Sequence, residues 1–447
     1  MSPRLLTASG VYAVCNVLNR SVTFLLLPIL ARYLGPEDFG RVAMYTMALG
    51  LVSPIVGFST EGAIGRQYFE RIRIDFPNYV TNCLYISLVT SAVIGLVAIV
   101  FSATISAALA LPPGWVWTLV VVAMARYLFN VVLTLWQLQG RVFAYASLAL
   151  GQTVFAATLS IILVVRLGYG WEGRVSGDIA SLVGASVVAV ASLGAAGYLK
   201  QGMSGAHLAH ALKFGGGLIP HVYGSALIGV SDRMFITHMF GVAQTGLYVV
   251  GAQVAMVIGV LEHSFNQAWS PWLFERLERN IPAELAGVKT IIRTYNVAIM
   301  LVAFGLAVVA PRVIQVVAGR DYASASQFVF WLALGNAFVG MYKMVANQIF
   351  FANQTHLLSL VTLTTALVNP VLNYALITMN GPVGAAQATA GSFFLSYVLT
   401  ARLSKLALDR HMQSRNQIDA RKSALPVAVS PSATLGVPDG SERNLPT

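Results

Sequence analysis

Long apolar runs alternate with short polar stretches along most of the chain, and each run is long enough to cross the roughly 30 Å hydrocarbon core of a bilayer as a helix. This pattern predicts twelve transmembrane helices. In the first half they are predicted at 8–33, 38–66, 78–110, 115–139, 142–167 and 177–199, and in the second half at 212–239, 244–274, 286–310, 324–351, 357–379 and 384–407. The expected fold is therefore an all-α polytopic membrane protein.

The same pattern divides the chain into four segments. We expect an N-terminal six-helix bundle over 1–199, a cytoplasmic linker over 200–211 and a C-terminal six-helix bundle over 212–410. The polar segment 411–447 lacks apolar periodicity, which predicts a disordered cytoplasmic tail.

Paired glycines indicate an internal repeat that relates the two halves. Gly35 and Gly40 follow the first span, and Gly241 and Gly246 follow the seventh at an offset of 206 residues. A second pair of loops agrees at an offset of 211 residues and contains Gly170 with Gly173, and Gly381 with Gly384. Because six spans separate the halves, both enter the membrane from the same side. A parallel repeat of this kind predicts a substrate site between the halves.

Composition excludes a soluble protein. Of the 447 residues, 57% are hydrophobic and only 10% are charged, and the mean hydropathy is +0.71. An ordinary soluble domain carries about 25% charged residues. Cys15 and Cys83 lie in or beside apolar runs and are expected to be buried and unpaired.

Basic residues set the orientation, because cytoplasmic loops of membrane proteins accumulate Lys and Arg. If the N-terminus is cytoplasmic, the 28 basic residues divide into 18 inside, 6 outside and 4 within spans. We therefore expect a multi-pass protein of the inner membrane with both termini in the cytoplasm. This asymmetry also explains the net charge of +11 without nucleic acid as a partner. The external connections are too short to form a catalytic domain, which disfavours an enzyme.

Polar and charged residues inside membrane spans cost free energy of insertion, so their presence marks candidate functional sites. They recur at steps of three and four residues, so that each set shares one helix face. The predicted substrate contacts are Arg20, Asn16, Asn19, Arg126, Asn130, Lys343, Asn347, Asn266, Asn369 and Asn373. Their chemistry suits a phosphate and sugar hydroxyls in a water-filled cavity. Hydrogen bonds or ion pairs that join neighbouring helices are the alternative for each of them.

Three acidic residues within spans, Glu61, Asp232 and Glu262, are candidates for coupling transport to H⁺ or Na⁺. Asp232 and Arg233 are adjacent and point about 100° apart on a helix, so they cannot share one face. No metal-ligand spacing or ATP-binding motif occurs in the sequence, and we expect neither a metal nor a cofactor.

Several strings resemble those of polysaccharide biosynthesis flippases, the O-antigen (Wzx-type) translocases. They are LPILARYLGPEDFG from Leu27 to Gly40, LIPH from Leu218 to His221, Ser231-Asp232-Arg233, and FNQAWSP from Phe265 to Pro271. The resemblance implies two six-helix bundles in the V-shaped fold of the multidrug and toxic-compound exporters (MATE). It also implies flipping of an undecaprenyl-diphosphate-linked oligosaccharide, with Arg20 in the cavity, and association with polysaccharide assembly proteins.

Two other functions stay open at this point. A multidrug or cation antiporter of the same fold would have an acidic or aromatic cavity. A membrane glycosyltransferase or polymerase would need larger external loops than this chain has.

Overall fold

The computed structural model describes residues 3–424, apart from the side chains at 3–10, 12, 13, 16, 20, 23, 220, 221, 224–228 and 414–424. The first group of helices comprises α1 (Pro3–Leu30), α2 (Pro36–Val56), α3 (Thr60–Gln67), α4 (Phe76–Val100), α5 (Ser102–Leu109), α6 (Val116–Leu138), α7 (Val142–Ile161) and α8 (Gly170–Ala195). The second comprises α9 (Gly205–Phe240), α10 (Val242–Arg279), α11 (Pro282–Val317), α12 (Ser326–Phe351), α13 (Thr355–Asn380) and α14 (Val383–Ala424).

Twelve helices of 20 residues or more lie within the described range, at the twelve places that the sequence predicts. Nine helices among the described residues are long and apolar enough to cross a membrane. The second predicted span is divided, because Phe58 and Ser59 adopt positive φ angles of 47° and 52° between α2 and α3. Helix α14 continues to Ala424, into the segment predicted as a disordered tail, and 425–447 lie outside the described residues.

Local chemistry accounts for several helix ends. Pro36 occupies the first turn of α2, where a missing N–H costs nothing, and Glu37 and Asp38 complement the positive end of the helix dipole. The side chain of Ser204 caps α9 by accepting a hydrogen bond from the backbone of His207. Gly241, with φ of +89°, makes the sharp turn between α9 and α10.

The two groups meet mainly where α2 packs against α10. Their backbones approach closely at two glycines that the repeat analysis singled out. A Cβ atom built on Gly40 would lie 2.0 Å from the carbonyl oxygen of Val242, and one built on Gly246 would lie 1.8 Å from that of Pro36. Each residue in this pair of contacts is 206 positions from its counterpart. The repeated glycines therefore form two equivalent contacts, which we call the α2/α10 crossing.

The second pair of repeated glycines also occupies equivalent positions. Gly173, in α8, lies against Leu163, with a hypothetical Cβ 3.1 Å from its backbone carbon. Gly384, in α14, lies against Leu376, with a hypothetical Cβ 2.1 Å from its carbonyl oxygen. In each half, glycine lets the last helix turn back closely on the helix before it.

The predicted linker 200–211 is held against the start of α4. Asn82 is fully buried, and its side chain donates to the carbonyl oxygen of Gly202 at 3.3 Å and accepts from the backbone N–H of Ser204 at 3.0 Å. Lys200 forms an ion pair with Asp75 at 2.5 Å, and this hydrogen bond lowers the pKa of the carboxyl. The first turns of α9 consequently belong with the first group of helices.

Candidate functional site: a cavity between the bundles

A cavity of about 560 Å³ lies between the two groups of helices. Helices α1, α2, α7 and α8 line it from the first group, and α9 and α10 line it from the second. Leucine, valine and phenylalanine side chains form much of its wall. The polar side chains on it are Asn19, Thr46, Thr153, Arg174, Arg233 and Gln253.

The cavity lies beneath the α2/α10 crossing. Leu34 and Phe39 line its wall at this end, and Tyr322 packs over both of them. The Tyr322 hydroxyl donates to the carbonyl oxygen of Leu34 at 2.7 Å, and its ring meets that of Phe39 edge-on. The crossing and this tyrosine therefore pack tightly at the end of the cavity that the basic residues predict to be external.

Two arginines line this cavity, one from each bundle. The predicted spans 142–167 and 177–199 place Arg174 in the external connection between them. In the structure α8 begins at Gly170, seven residues before the predicted span, so Arg174 lies in its second turn. Its i,i+4 spacing to Asp178, with which it forms an ion pair, is the sequence signal that could have placed it on a helix.

Of the predicted substrate contacts on α1, Asn19 lies on the wall of this cavity. Its side-chain amide donates to the sulfur of Cys15 at 3.8 Å. Arg20 and Asn16 lie on the same helix, but their side chains are outside the described residues. Cys15 and Cys83 are both buried and unpaired, as expected.

Arg126, Asn130 and Glu61 lie together within the first bundle, between α3 and α6. The Asn130 amide donates to a Glu61 carboxylate oxygen at 3.5 Å. Arg126 lies one turn before Asn130 and donates no hydrogen bond to any described residue. None of the three belongs to the wall of the 560 Å³ cavity.

Lys343 and Asn347 join α12 to α10 within the second bundle. The Lys343 ammonium forms an ion pair with Glu262 at 2.8 Å, and the Asn347 amide donates to Asn266 at 2.8 Å. Each side chain is thus paired across the helix contact, which is the alternative to substrate binding, and neither residue lies on the wall of the 560 Å³ cavity. Glu262, a candidate for ion coupling, is therefore held in an ion pair with Lys343.

Asn369 and Asn373, also predicted substrate contacts, lie away from the cavity wall. Both are fully buried in a network that joins α13 to α9. Asn373 donates to Asp232 at 2.8 Å and to Ser231 at 3.1 Å, and Asn369 donates to Ser392 at 3.1 Å. These hydrogen bonds lie inside the bundle, and neither residue belongs to the wall of the 560 Å³ cavity.

Asp232 is the most enclosed acidic residue of the three coupling candidates. Its side chain is 3% exposed and accepts hydrogen bonds from Tyr248 at 2.6 Å, Thr389 at 2.6 Å and Asn373 at 2.8 Å. Arg233, the next residue, turns to the cavity instead, as their adjacency on a helix predicts. In residues 3–424, with the side-chain gaps given above, no three His, Cys, Asp or Glu residues group as metal ligands.

Two groups of solved structures share the fold of this chain. An inward-facing multidrug resistance transporter of the MATE family matches with a TM-score of 0.67 and 15% identity, covering 88% of this chain and 96% of its own. The lipid II flippase MurJ in an inward closed conformation matches with a TM-score of 0.69 and 14% identity, covering 90% and 89%. The predicted all-α, MATE-like exporter fold is confirmed.

Sequence relatives cover most of the chain. An uncharacterized membrane protein of Haemophilus influenzae is 24% identical over 375 residues, which are 81% of this chain and 88% of the relative. A probable low-salt glycan biosynthesis flippase of Haloferax volcanii is 23% identical over 405 residues, covering 87% and 81%. Residues 29–327 match the family described as polysaccharide biosynthesis protein. Since this match covers more than half of the chain, the protein is a multi-pass membrane protein that belongs to that family.

Proposed function

We propose that the protein flips a polyprenyl-diphosphate-linked oligosaccharide from the inner to the outer leaflet of the cytoplasmic membrane, for surface polysaccharide biosynthesis. The observation that carries this proposal is the cavity between the bundles, which presents an arginine from each side and hydrogen-bonding side chains that suit sugar hydroxyls. Membership of a polysaccharide biosynthesis family and similarity to a glycan biosynthesis flippase support it.

The cavity lowers the barrier that makes unaided flipping slow. A diphosphate and a glycan lose their hydration when they enter hydrocarbon, and each unpaired polar group costs several kcal/mol there. A polar cavity replaces that hydration while the polyprenyl chain stays in lipid. The tight α2/α10 crossing supports alternating access, because in this proposal it has to separate before the glycan reaches the external side.

Asp232 is the strongest candidate for ion coupling. It is a buried carboxylate that accepts hydrogen bonds from two hydroxyl groups and one amide nitrogen, and it lies next in sequence to a cavity arginine. Intramembrane carboxylates commonly serve proton or sodium coupling in transporters. Glu61 remains a second candidate, whereas Glu262 is already held by Lys343.

Reconstitution tests the proposed function. The purified protein is placed in liposomes with a fluorescent undecaprenyl-diphosphate oligosaccharide in the starting leaflet, and arrival in the other leaflet is followed by quenching. Wild-type protein should accelerate transfer, and Asp232→Asn should remove its dependence on an imposed proton or sodium gradient. The control is Asp409→Asn, an exposed aspartate of α14 that lies away from the cavity wall, which should retain that dependence.

Two results would contradict the proposal. Export of organic cations without glycolipid transfer would favour the antiporter of the same fold, and sugar transfer by the purified protein would favour an enzyme. In the first case a cation has to pass a cavity that presents two arginines, which charge repulsion disfavours.

A further inference from the structure

The predicted cytoplasmic face of the first bundle exposes large apolar side chains beside arginines. Phe69 and Ile72 lie in the connection between α3 and α4 and are 74% and 92% exposed, and Phe143, in the first turn of α7, is 78% exposed. Three exposed arginines accompany them in the same two connections: Arg71, Arg73 and Arg141. We call these three apolar side chains and three arginines the basic-apolar surface.

Aromatic contacts join the two connections. The Arg71 Cζ atom lies 4.2 Å from the centre of the Tyr68 ring, and the rings of Tyr68 and Phe76 meet edge-on at 5.7 Å. The Phe76 ring also meets that of Tyr198 edge-on at 5.8 Å. The Tyr198 hydroxyl accepts a hydrogen bond at 2.9 Å from Gln139, in the turn before α7. The two connections therefore lie side by side on one face of the bundle.

The acidic residues of this face do not neutralise the three arginines. Glu70 pairs with Arg66 at 3.7 Å, and Asp75 pairs with Lys200 at 2.5 Å. None of the three arginines of the basic-apolar surface forms an ion pair with a residue that the structure describes. Their positive charge is therefore available to an anion outside the chain.

The equivalent connection of the second bundle balances its own charge. The repeat relates the connection between α3 and α4 to the turn between α10 and α11. In that turn Arg276 and Arg279 both lie within ion-pair distance of Glu275 and Glu284. One connection is thus neutralised within itself, and the other presents its arginines to the surroundings.

The surroundings at this depth are lipid headgroups. The basic-apolar surface borders the first turns of α4 and α7, two spans in which only 22% of the most apolar stretch is buried by protein. Trp136 lies beside it, with the Arg141 Cζ atom 5.6 Å from the ring centre. Tryptophan and tyrosine concentrate where the hydrocarbon meets the headgroups. Apolar side chains flanked by arginines at this level fit an anionic lipid surface.

We infer that the basic-apolar surface binds the headgroups of anionic phospholipids in the cytoplasmic leaflet. Its apolar side chains enter the boundary between headgroups and acyl chains, and its arginines hold lipid phosphates through paired hydrogen bonds. The surface lies outside the 560 Å³ cavity and does not involve the transported lipid, so the inference goes beyond the proposed function. Such binding attaches the first bundle to the leaflet at a place where the equivalent turn of the second bundle has its arginines paired.

Fluorescence of the full-length protein in nanodiscs tests the inference. Ile72→Cys is labelled with bimane, and unsubstituted protein measures the background from the buried Cys15 and Cys83. The emission should shift to the blue when phosphatidylglycerol is added to phosphatidylcholine nanodiscs. A label at Phe143→Cys, in the other connection, should respond in the same way.

Removal of charge identifies what the label responds to. Each single substitution of one of the three arginines by glutamine should raise the phosphatidylglycerol fraction at half-maximal shift about fivefold. The triple variant should lose the shift: Arg71→Gln/Arg73→Gln/Arg141→Gln. A matched control removes the same charge from exposed positions of the second bundle: Lys289→Gln/Arg293→Gln/Arg402→Gln. This control should keep the shift, and thermal unfolding shows that each variant is folded.

Three results would overturn the inference. An equal blue shift in pure phosphatidylcholine would show apolar insertion without recognition of charge. An undiminished shift in the triple variant would show that these arginines do not hold the lipid. A shift caused by polyglutamate but not by phosphatidylglycerol would identify a docking surface for an acidic protein segment. None of these measurements depends on flipping, so the proposed function is tested separately.

Discussion

Helices α2 and α10 occupy equivalent positions in the two repeats, yet they are alike at only one end. Where they cross, Gly40 and Gly246 make the same contact with the start of the other helix. At the other end α2 stops at Val56, whereas α10 continues without interruption to Arg279. The crossing keeps the symmetry of the repeat, and the opposite ends have diverged from it.

The divergent ends have different partners. The break after α2 receives α9, where a Cβ on Gly215 would lie 2.0 Å from the carbonyl oxygen of Phe58. The continuing part of α10 stays in its own bundle and pairs Glu262 with Lys343. Helix α9 is thus attached to the first bundle at its start and to the second near Asp232. Separation of the bundles at this end has to break the Gly215 contact or bend α9 between its attachments.

The largest effect on flipping is expected from substitutions at the two glycines of the α2/α10 crossing. In Gly40→Ala/Gly246→Ala, each new Cβ would displace a backbone carbonyl, and overpacking costs about 1–3 kcal/mol per site. The closed state should become rarer, and flipping should fall at least about a hundredfold. Cysteine accessibility from the predicted external side should rise.

Gly50→Ala is the matched control on the same helix, because nothing lies within 4 Å of its Cβ position. It should retain flipping, with helix stability raised by up to about 1 kcal/mol. Normal flipping by the double glycine variant would show that the crossing does not have to close as tightly as the structure indicates.

A smaller loss of flipping activity is expected from disturbing the contact between α9 and the break after α2. Gly215→Ala meets one backbone oxygen, that of Phe58, so flipping should fall about tenfold, in line with one overpacked contact. Gly217→Ala, two residues along the same helix, has open space and should behave like wild type. Equal flipping rates for the two variants would argue against a tight contact between α9 and α2.

The contribution of the Glu262–Lys343 ion pair to stability tests the packing of the uninterrupted end of α10. Lys343→Met leaves a carboxylate that is 5% exposed without its partner and should lower the free energy of unfolding by about 2–4 kcal/mol. Lys343→Met/Glu262→Gln should recover most of this loss in thermal unfolding experiments. Arg41→Gln, which breaks an exposed pair with Glu37, should cost about 1 kcal/mol or less. A double variant as unstable as Lys343→Met would contradict this account.

The smallest effect concerns the linker that holds the start of α9. Asn82→Ala removes the hydrogen bonds to Gly202 and Ser204 and should destabilise this attachment by about 1–3 kcal/mol. Global unfolding should change little, whereas limited proteolysis between Lys200 and Ser204 should become faster. Unchanged proteolysis would mean that the remaining contacts suffice. Ser192→Ala, whose exposed side chain bonds only to its own helix, is the control.

The sequence alone predicted the helices, the repeat and the fold class. Apolar runs of membrane-spanning length admit hardly any structure except a helix, because backbone groups must be paired within lipid. The glycines at 40 and 246 were recognisable as equivalents, since a close backbone approach leaves room for no other residue. The turn of Asp232 away from Arg233 also followed from helix geometry alone.

Only the tertiary structure decided which polar faces meet the cavity. Helix periodicity shows that Asn369 and Asn373 share a face, but the identity of the helix opposite is set by packing across distant segments. That packing buried both residues against Asp232 and paired Lys343 with Glu262. It also placed Arg174 and Arg233 on one wall, although α8 and α9 belong to different bundles. The periodicity of a helix determines which of its faces carries a side chain. The packing of the neighbouring helices determines whether that face meets a cavity or another side chain.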